Sequence, residues 1–272
     1  MGPAHGPVHT HSFPAEQPDL NRRSPEVRRG RCGVMRFWLD RGADGFRIDV
    51  ADFLMKGPDL GDDPPPGAAA LSRSRAHPDV HGVLREMPAL LDGYSPPRVA
   101  VGEIHEEDLA EWASYYGDGD EVHLPFNFSP LCAPWDGAAV RRRVDALEAA
   151  LPPGAWPNRV LGNHDEPRLA TRIGEGAPRS AAMPLLTLRG IPTLCYGDEL
   201  GLPRLEVPPE RRQDPLGRRV PGRGRNGCRT PMPRDGAPTP ASVLRAWGPG
   251  CRSSRRRGSA AWRRDWPVPG RR

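Results

Sequence analysis

Asp44–Asp49 (DGFRID) is a short apolar run that opens on one acid and closes on another. Three further runs share its form: Arg98–Glu103 (RVAVGE), Arg159–His164 (RVLGNH) and Ile191–Tyr196 (IPTLCY). A fifth, Glu121–Phe128 (EVHLPFNF), alternates more weakly. Short, β-rich, turn-bounded runs of this kind read as buried strands. Between them lie helical patterns, at Pro25–Arg41, Asp79–Asp92, Glu106–Tyr116, Gly137–Leu151 and Pro178–Arg189. Strands alternating with helices specify an α/β fold built from parallel βα units.

The helices carry their own signals. Ser24 is an N-cap before Pro25, and Pro is tolerated in the first turn. Val34, Phe37 and Trp38 form one apolar face of the first helix, and Val140, Val144, Leu147 and Leu151 recur at helical spacing in the fourth. Pro88 interrupts the second helix and Pro184 the last, where a kink is expected. Gly57–Ser74 reads as a Pro, Gly and Asp-rich loop. From about Pro203 periodicity fades into Arg, Pro and Gly.

Composition narrows the function. The chain has 272 residues, enough for one barrel-sized domain or two smaller ones. No apolar run approaches the roughly 18 residues of a membrane span, and the first residues lack the pattern of a signal peptide. The five cysteines are scattered without a CxxC pair, which argues against a disulfide scaffold or zinc ribbon and for a reducing, cytoplasmic setting. The net charge of +5 comes from the end of the chain, where residues 241–272 hold nine arginines and one acid. That stretch reads as a disordered Arg/Pro-rich tail or an out-of-frame translation. It has no regularly interleaved aromatics and no accompanying motif, so no nucleic-acid partner is inferred, and no membrane partner either. His77 and His81 stand four apart with no third ligand beside them and read as a solvated pair rather than a metal site. Trp112 and Trp156 read as packing residues. Trp135 reads equally as a packing residue or a sugar-stacking one.

Three strand ends carry acids: Asp49, Glu103 and Asp165. In βα barrels, side chains at the carboxyl ends of strands face the active site. Converging carboxylates repel, so such a cluster is explained more economically by function than by structure. A pair about 5–5.5 Å apart suits retaining glycoside hydrolysis. The structural alternative is that each acid caps the helix after it.

The surrounding words carry a resemblance. GFRIDV (Gly45–Val50), VGEIH (Val101–His105) and GNHDEPR (Gly162–Arg168) resemble the second, third and fourth signature regions of the α-amylase superfamily, glycoside hydrolase family thirteen. QPDLN (Gln17–Asn21) resembles the fifth region in its α-glucosidase and oligo-1,6-glucosidase form. GIPTLCYGDELGL (Gly190–Leu202) resembles the eighth barrel strand, and GCRTPM (Gly227–Met232) the stretch after it. The resemblance runs from about Thr10 to Gly236.

It implies a partial (β/α)8 TIM barrel comprising about strands 4–8, N- and C-terminally incomplete, with no counterpart of the first signature region. Residues 1–24 would be a remnant of the domain inserted after the third strand, 25–202 the partial barrel, 203–240 the loop after the eighth strand and 241–272 the tail. Exposed strand edges would leave an isolated partial barrel poorly stable. The implied activity is retaining hydrolysis of short α-1,4- and α-1,6-glucosides such as maltose or isomaltose, without metal or organic cofactor. Position by position, Asp49 matches the nucleophile and Arg47, on the same strand face, the arginine that keeps it ionised. Glu103 matches the general acid/base, whose pKa should be raised. Asp165 matches the third acid, and His164 and Asn163 match sugar-binding positions. The alternative is a catalytically inactive or carbohydrate-binding remnant.

Overall fold

A computed structural model describes residues 10–14, 16–59, 63, 74–128, 134–174, 176–220 and 224–230. The tail at 241–272 and most of the Gly57–Ser74 loop lie outside the described residues. The chain divides into two compact units. The first runs to Leu161 and adds Pro184–Thr193. The second comprises Gly162–Met183 and the chain from Leu194.

The first unit contains the sheet. Its strands are β1 (Gly45–Ile48), β2 (Val99–Gly102), β3 (Leu124–Asn127), β4 (Asn158–Val160) and β5 (Ile191–Thr193). Every neighbouring pair is parallel and the order is β1-β2-β3-β4-β5. Parallel neighbours in chain order require crossover connections, and helices supply them. These are α2 (Val80–Leu91) and α3 (Leu109–Ser114), followed by α4 (Gly137–Ala150), with α1 (Pro25–Leu39) ahead of β1. The expected α/β class is thus present as five consecutive parallel strands of a βα barrel.

Local chemistry explains the element ends. Ser24 caps α1, its side chain accepting from the Val27 N–H, with Pro25 in the first turn. Asp108 caps α3, accepting from the amides of Ala110 and Glu111. Asp136 caps α4 with two 3.0 Å bonds from Ala138 and Ala139. In α2 the helix continues through Pro88 rather than breaking there.

The core of this unit packs α2 and α3 against the sheet. Val83, Leu84 and Leu91 of α2 meet Ala100, Ile104 and Trp112, all at most 2% exposed. The Trp112 indole N–H donates to the Phe126 carbonyl at 2.9 Å, which fixes α3 to β3. A side chain at Gly102 would run into Val122 Cγ1 at 2.7 Å, so β2 can lie this close to Val122 only with glycine there.

Three packing expectations need correction. The Val34, Phe37 and Trp38 face of α1 points outward, with Val34 60% and Trp38 52% exposed, while Met35 and Leu39 are buried. α1 carries two apolar stripes, and periodicity cannot say which one faces the core. Trp156, read as a packing residue, is half exposed beneath the Arg189 guanidinium. His81 is not solvated: its Nδ1 lies 2.7 Å from the buried Glu121 carboxylate and its ring packs on Tyr115.

Helix α5 (Leu169–Ile173) belongs to the second unit, as does the short α7 (Pro215–Arg219). Between α5 and α7 in sequence lies α6 (Pro178–Thr187), with Pro184 inside it. In the second unit Arg168 is buried and donates to the Tyr196 carbonyl. A side chain at Gly197, whose φ is +94°, would meet Arg168 Nη1 at 2.5 Å. Among the described residues no helix is long and apolar enough to cross a membrane.

Candidate active site

Alternation along β1 puts Arg47 and Asp49 on one face, and β1 and β2 run in register with Ile48 opposite Gly102. The next residue on each strand is therefore an acid, Asp49 beside Glu103. Arg47 joins them: Nη1 donates to Asp49 Oδ1 and Nη2 to Glu103 Oε2, both at 2.6 Å. Two carboxylates held by one guanidinium share a small volume. Their exposure differs sharply, with the Asp49 side chain 71% and the Glu103 side chain 2% accessible.

The turn after Asp49 is unusual. Val50 has φ 38°, in the left-handed region. A β-branched residue is rarely found there, and such outliers concentrate at functional sites. The conformation aims the Val50 N–H at Glu103 Oε2, 3.1 Å away. Ala51 then donates to the Glu103 carbonyl. Glu103 is thus fixed by Arg47, by the backbone of the β1 turn and, at Oε1, by His105 Nε2 at 3.4 Å.

These contacts decide the charge of Glu103. Burial pushes its pKa up, but the His105 hydrogen bond, the Val50 N–H and the Arg47 charge outweigh burial and hold it at about 2. His105 moves the other way. Its hydrogen bond to Glu103 raises it above 6.5; burial opposes the shift, Asp52 adds to it and Arg75 subtracts. The raised pKa expected at Glu103 is thus replaced by a lowered one. His105 closes the VGEIH run without an assigned role. Its signal was the spacing that marked Arg47, two residues from a strand-end acid.

The second unit holds the remaining candidates. Asn163 Oδ1 accepts from the Asp165 and Glu166 amides at 3.1 and 2.8 Å, so its oxygen shapes the turn that presents Asp165. His164 Nε2 lies 3.7 Å from Asp165 Oδ1. Two arginines also meet that oxygen, Arg229 Nη2 at 2.5 Å and Arg225 Nη1 at 3.3 Å. Arg225 also donates to Asp214, whose pKa lies below the usual range because these bonds outweigh its burial. The His164 carbonyl accepts from Arg229 Nε and Cys228 Sγ. Arg229 lies within GCRTPM and Arg225 two residues before it, and neither carries a spacing signal that marks it for the site. Both stand in a stretch whose contacts are visible only in three dimensions.

Trp135 is partly buried and lines an apolar crevice with Val140, Val144, Leu147, Leu161 and Leu185. Among the described residues no group of three or more His, Cys, Asp or Glu side chains is arranged to hold a metal ion.

The sequence and fold are similar to those of known proteins. The model of the α-amylase catalytic domain matches residues 5–239. The α-glucosidase of Apis mellifera is 33% identical over 85% of this chain and 41% of its own length. The human amino acid transporter heavy chain SLC3A1 is 30% identical over 71% of this chain and 31% of its own. Among solved structures, the α-glucosyl transfer enzyme XgtA superposes with a TM-score of 0.74 at 34% identity, covering 83% of this chain and 46% of that one. The chain thus spans about two-fifths of the α-glucosidase it matches. A catalytic-domain match across most of the sequence, on five parallel strands with the paired acids at the ends of β1 and β2, shows that the chain belongs to the α-amylase catalytic-domain family.

Proposed function

We propose that the chain carries the catalytic centre of a retaining glycoside hydrolase that releases glucose from short α-1,4- and α-1,6-glucosides such as maltose and isomaltose. The observation that carries this reading is the Arg47 bridge between Asp49 and Glu103. Asp49, accessible and paired with a cation, attacks the anomeric carbon, and the glycosidic bond breaks as Glu103 gives its proton to the leaving oxygen. Water then releases the glucosyl group from Asp49, with Glu103 taking the proton back. Asp165, His164 and Asn163 are proposed to serve sugar hydroxyls. QPDLN (Gln17–Asn21) and Val50 support acceptance of α-1,6 linkages by their resemblance to oligo-1,6-glucosidases.

A second reading, an inactive or carbohydrate-binding member, is favoured by one observation: Glu103 is held ionised before substrate arrives. Glucose release from p-nitrophenyl α-glucoside, maltose and isomaltose, measured beside Asp49→Asn, separates the two. Turnover abolished by the substitution supports hydrolysis. A folded chain that binds sugar without turnover supports the second reading.

A further inference from the structure

Behind Glu103 stands a set of charged residues that the proposed chemistry leaves unused. Asp52, in the turn after β1, is fully buried. Its Oδ2 accepts from Arg75 Nε at 3.0 Å, and its Oδ1 is buried and has no hydrogen-bond partner among the described residues. Arg75 reaches on to the chain after β2, donating to Glu106 Oε1 at 2.6 Å and to the His105 carbonyl. The Ala76 N–H donates to the Asp52 carbonyl at 2.7 Å. One guanidinium therefore ties the turn after β1 to the segment carrying His105. On its other side the His105 ring stacks on Phe128, with centroids 5.1 Å apart. The imidazole is held with Nε2 toward Glu103 Oε1.

We propose that His105 is a positioning residue that shares one proton with Glu103, held in place by Asp52, Arg75 and Phe128. This inference rests on the assignment of Glu103 as acid/base. The charged and titratable groups around His105 are Glu103 from the end of β2 and Asp52 and Arg75 from the chain after β1, with Glu106 anchoring Arg75. A retaining enzyme needs the same carboxyl protonated in one half-reaction and ionised in the other. Arg47 and the Val50 N–H both favour the ionised form by donating to Oε2. The third group on Glu103, the His105 imidazole, is the kind of side chain that gains and loses a proton near neutral pH. Moving the shared proton from His105 Nε2 to Glu103 Oε1 leaves a neutral imidazole and a protonated acid, with no change in the number of bound protons. Proton transfer to the leaving oxygen then leaves the carboxylate, with Arg47 and Val50 still in place. The pair titrates as a unit. Its last proton departs as pH rises through the raised His105 value, and activity should depart with it.

The test follows the imidazole resonances of the full 272-residue chain by NMR across pH, assigned with His105→Gln, and the pH profile of kcat. His105 should titrate above 6.5 and move to lower pH in both Glu103→Gln and Asp52→Asn, since each substitution removes a carboxylate that favours the imidazolium. In His105→Gln the basic limb of kcat should shift to lower pH, with KM changed by less than about threefold. Titration at or below 6.5, or no movement in the variants that fold, overturns the proposal. So does an unshifted basic limb in an active His105→Gln. If the wild-type chain turns over no substrate, the hydrolase reading fails, while the NMR titration still decides whether the proton is shared.

Discussion

Arg47 and Asp49 stand two residues apart at the end of β1 and share a 2.6 Å hydrogen bond. The same guanidinium donates to the buried Glu103, so removing it affects both acids. Arg47→Met should therefore lower kcat/KM by at least about a hundredfold, near the loss seen when a group acting on developing charge is removed. It should also cost about 1–3 kcal/mol of stability, because a buried acceptor loses its donor. Steady-state kinetics and urea unfolding read the two effects separately.

Glu103 gives a pH signature to stability. Its folded-state pKa, about 2, lies below the ordinary 4.5. A carboxyl lowered on folding stabilises the protein above its unfolded value, and that contribution is lost as pH falls through the folded value. The wild-type melting temperature should accordingly drop between pH 4.5 and about 2, and drop less in Glu103→Gln. Parallel melting curves for the two proteins over that window would show that Glu103 is not held low.

Val50 holds a β-branched side chain at φ 38°. Glycine takes this conformation without the Cβ penalty, and residues so placed cost on the order of 1–3 kcal/mol. Val50→Gly should raise stability by about 1 kcal/mol in chemical denaturation, provided that its N–H stays on Glu103. A loss of stability would show that the Val50 side chain contributes more through packing than it costs in strain.

Trp112 is fully buried, with its indole N–H on the Phe126 carbonyl. Trp112→Ala should cost about 3–5 kcal/mol, as large-to-small core changes do. Asp136→Ala, which strips two backbone bonds from the start of α4, should cost about 1 kcal/mol. Urea midpoints compared at constant slope would order the two.

What could be read from the sequence followed the physics of each element. β1, β2 and β5 were visible because each is a short apolar run bounded by polar or turn residues. The acids at 49 and 103 were visible because they end such runs, and Arg47 because alternation puts it on the face of Asp49. α1 was located but turned the wrong way, since Met35 and Leu39 form a second stripe beside Val34, Phe37 and Trp38. Asp52 and Arg75 lie 23 residues apart, and no spacing rule joins a turn to the far end of a loop. Arg225 reaches Asp165 across 60 residues. Contacts of that kind depend on tertiary structure, and a single sequence carries no periodic trace of them.

The most direct test of retaining catalysis through Asp49 and Glu103 is the anomeric form of the glucose released from p-nitrophenyl α-glucoside, whose leaving group is not a sugar, followed by proton NMR within the first minutes of reaction. Two displacements at one carbon predict α-glucose first, equilibrating later to the mixture, with no signal from Asp49→Asn. β-Glucose appearing first, or release undiminished in Asp49→Asn, would contradict the mechanism proposed for this chain.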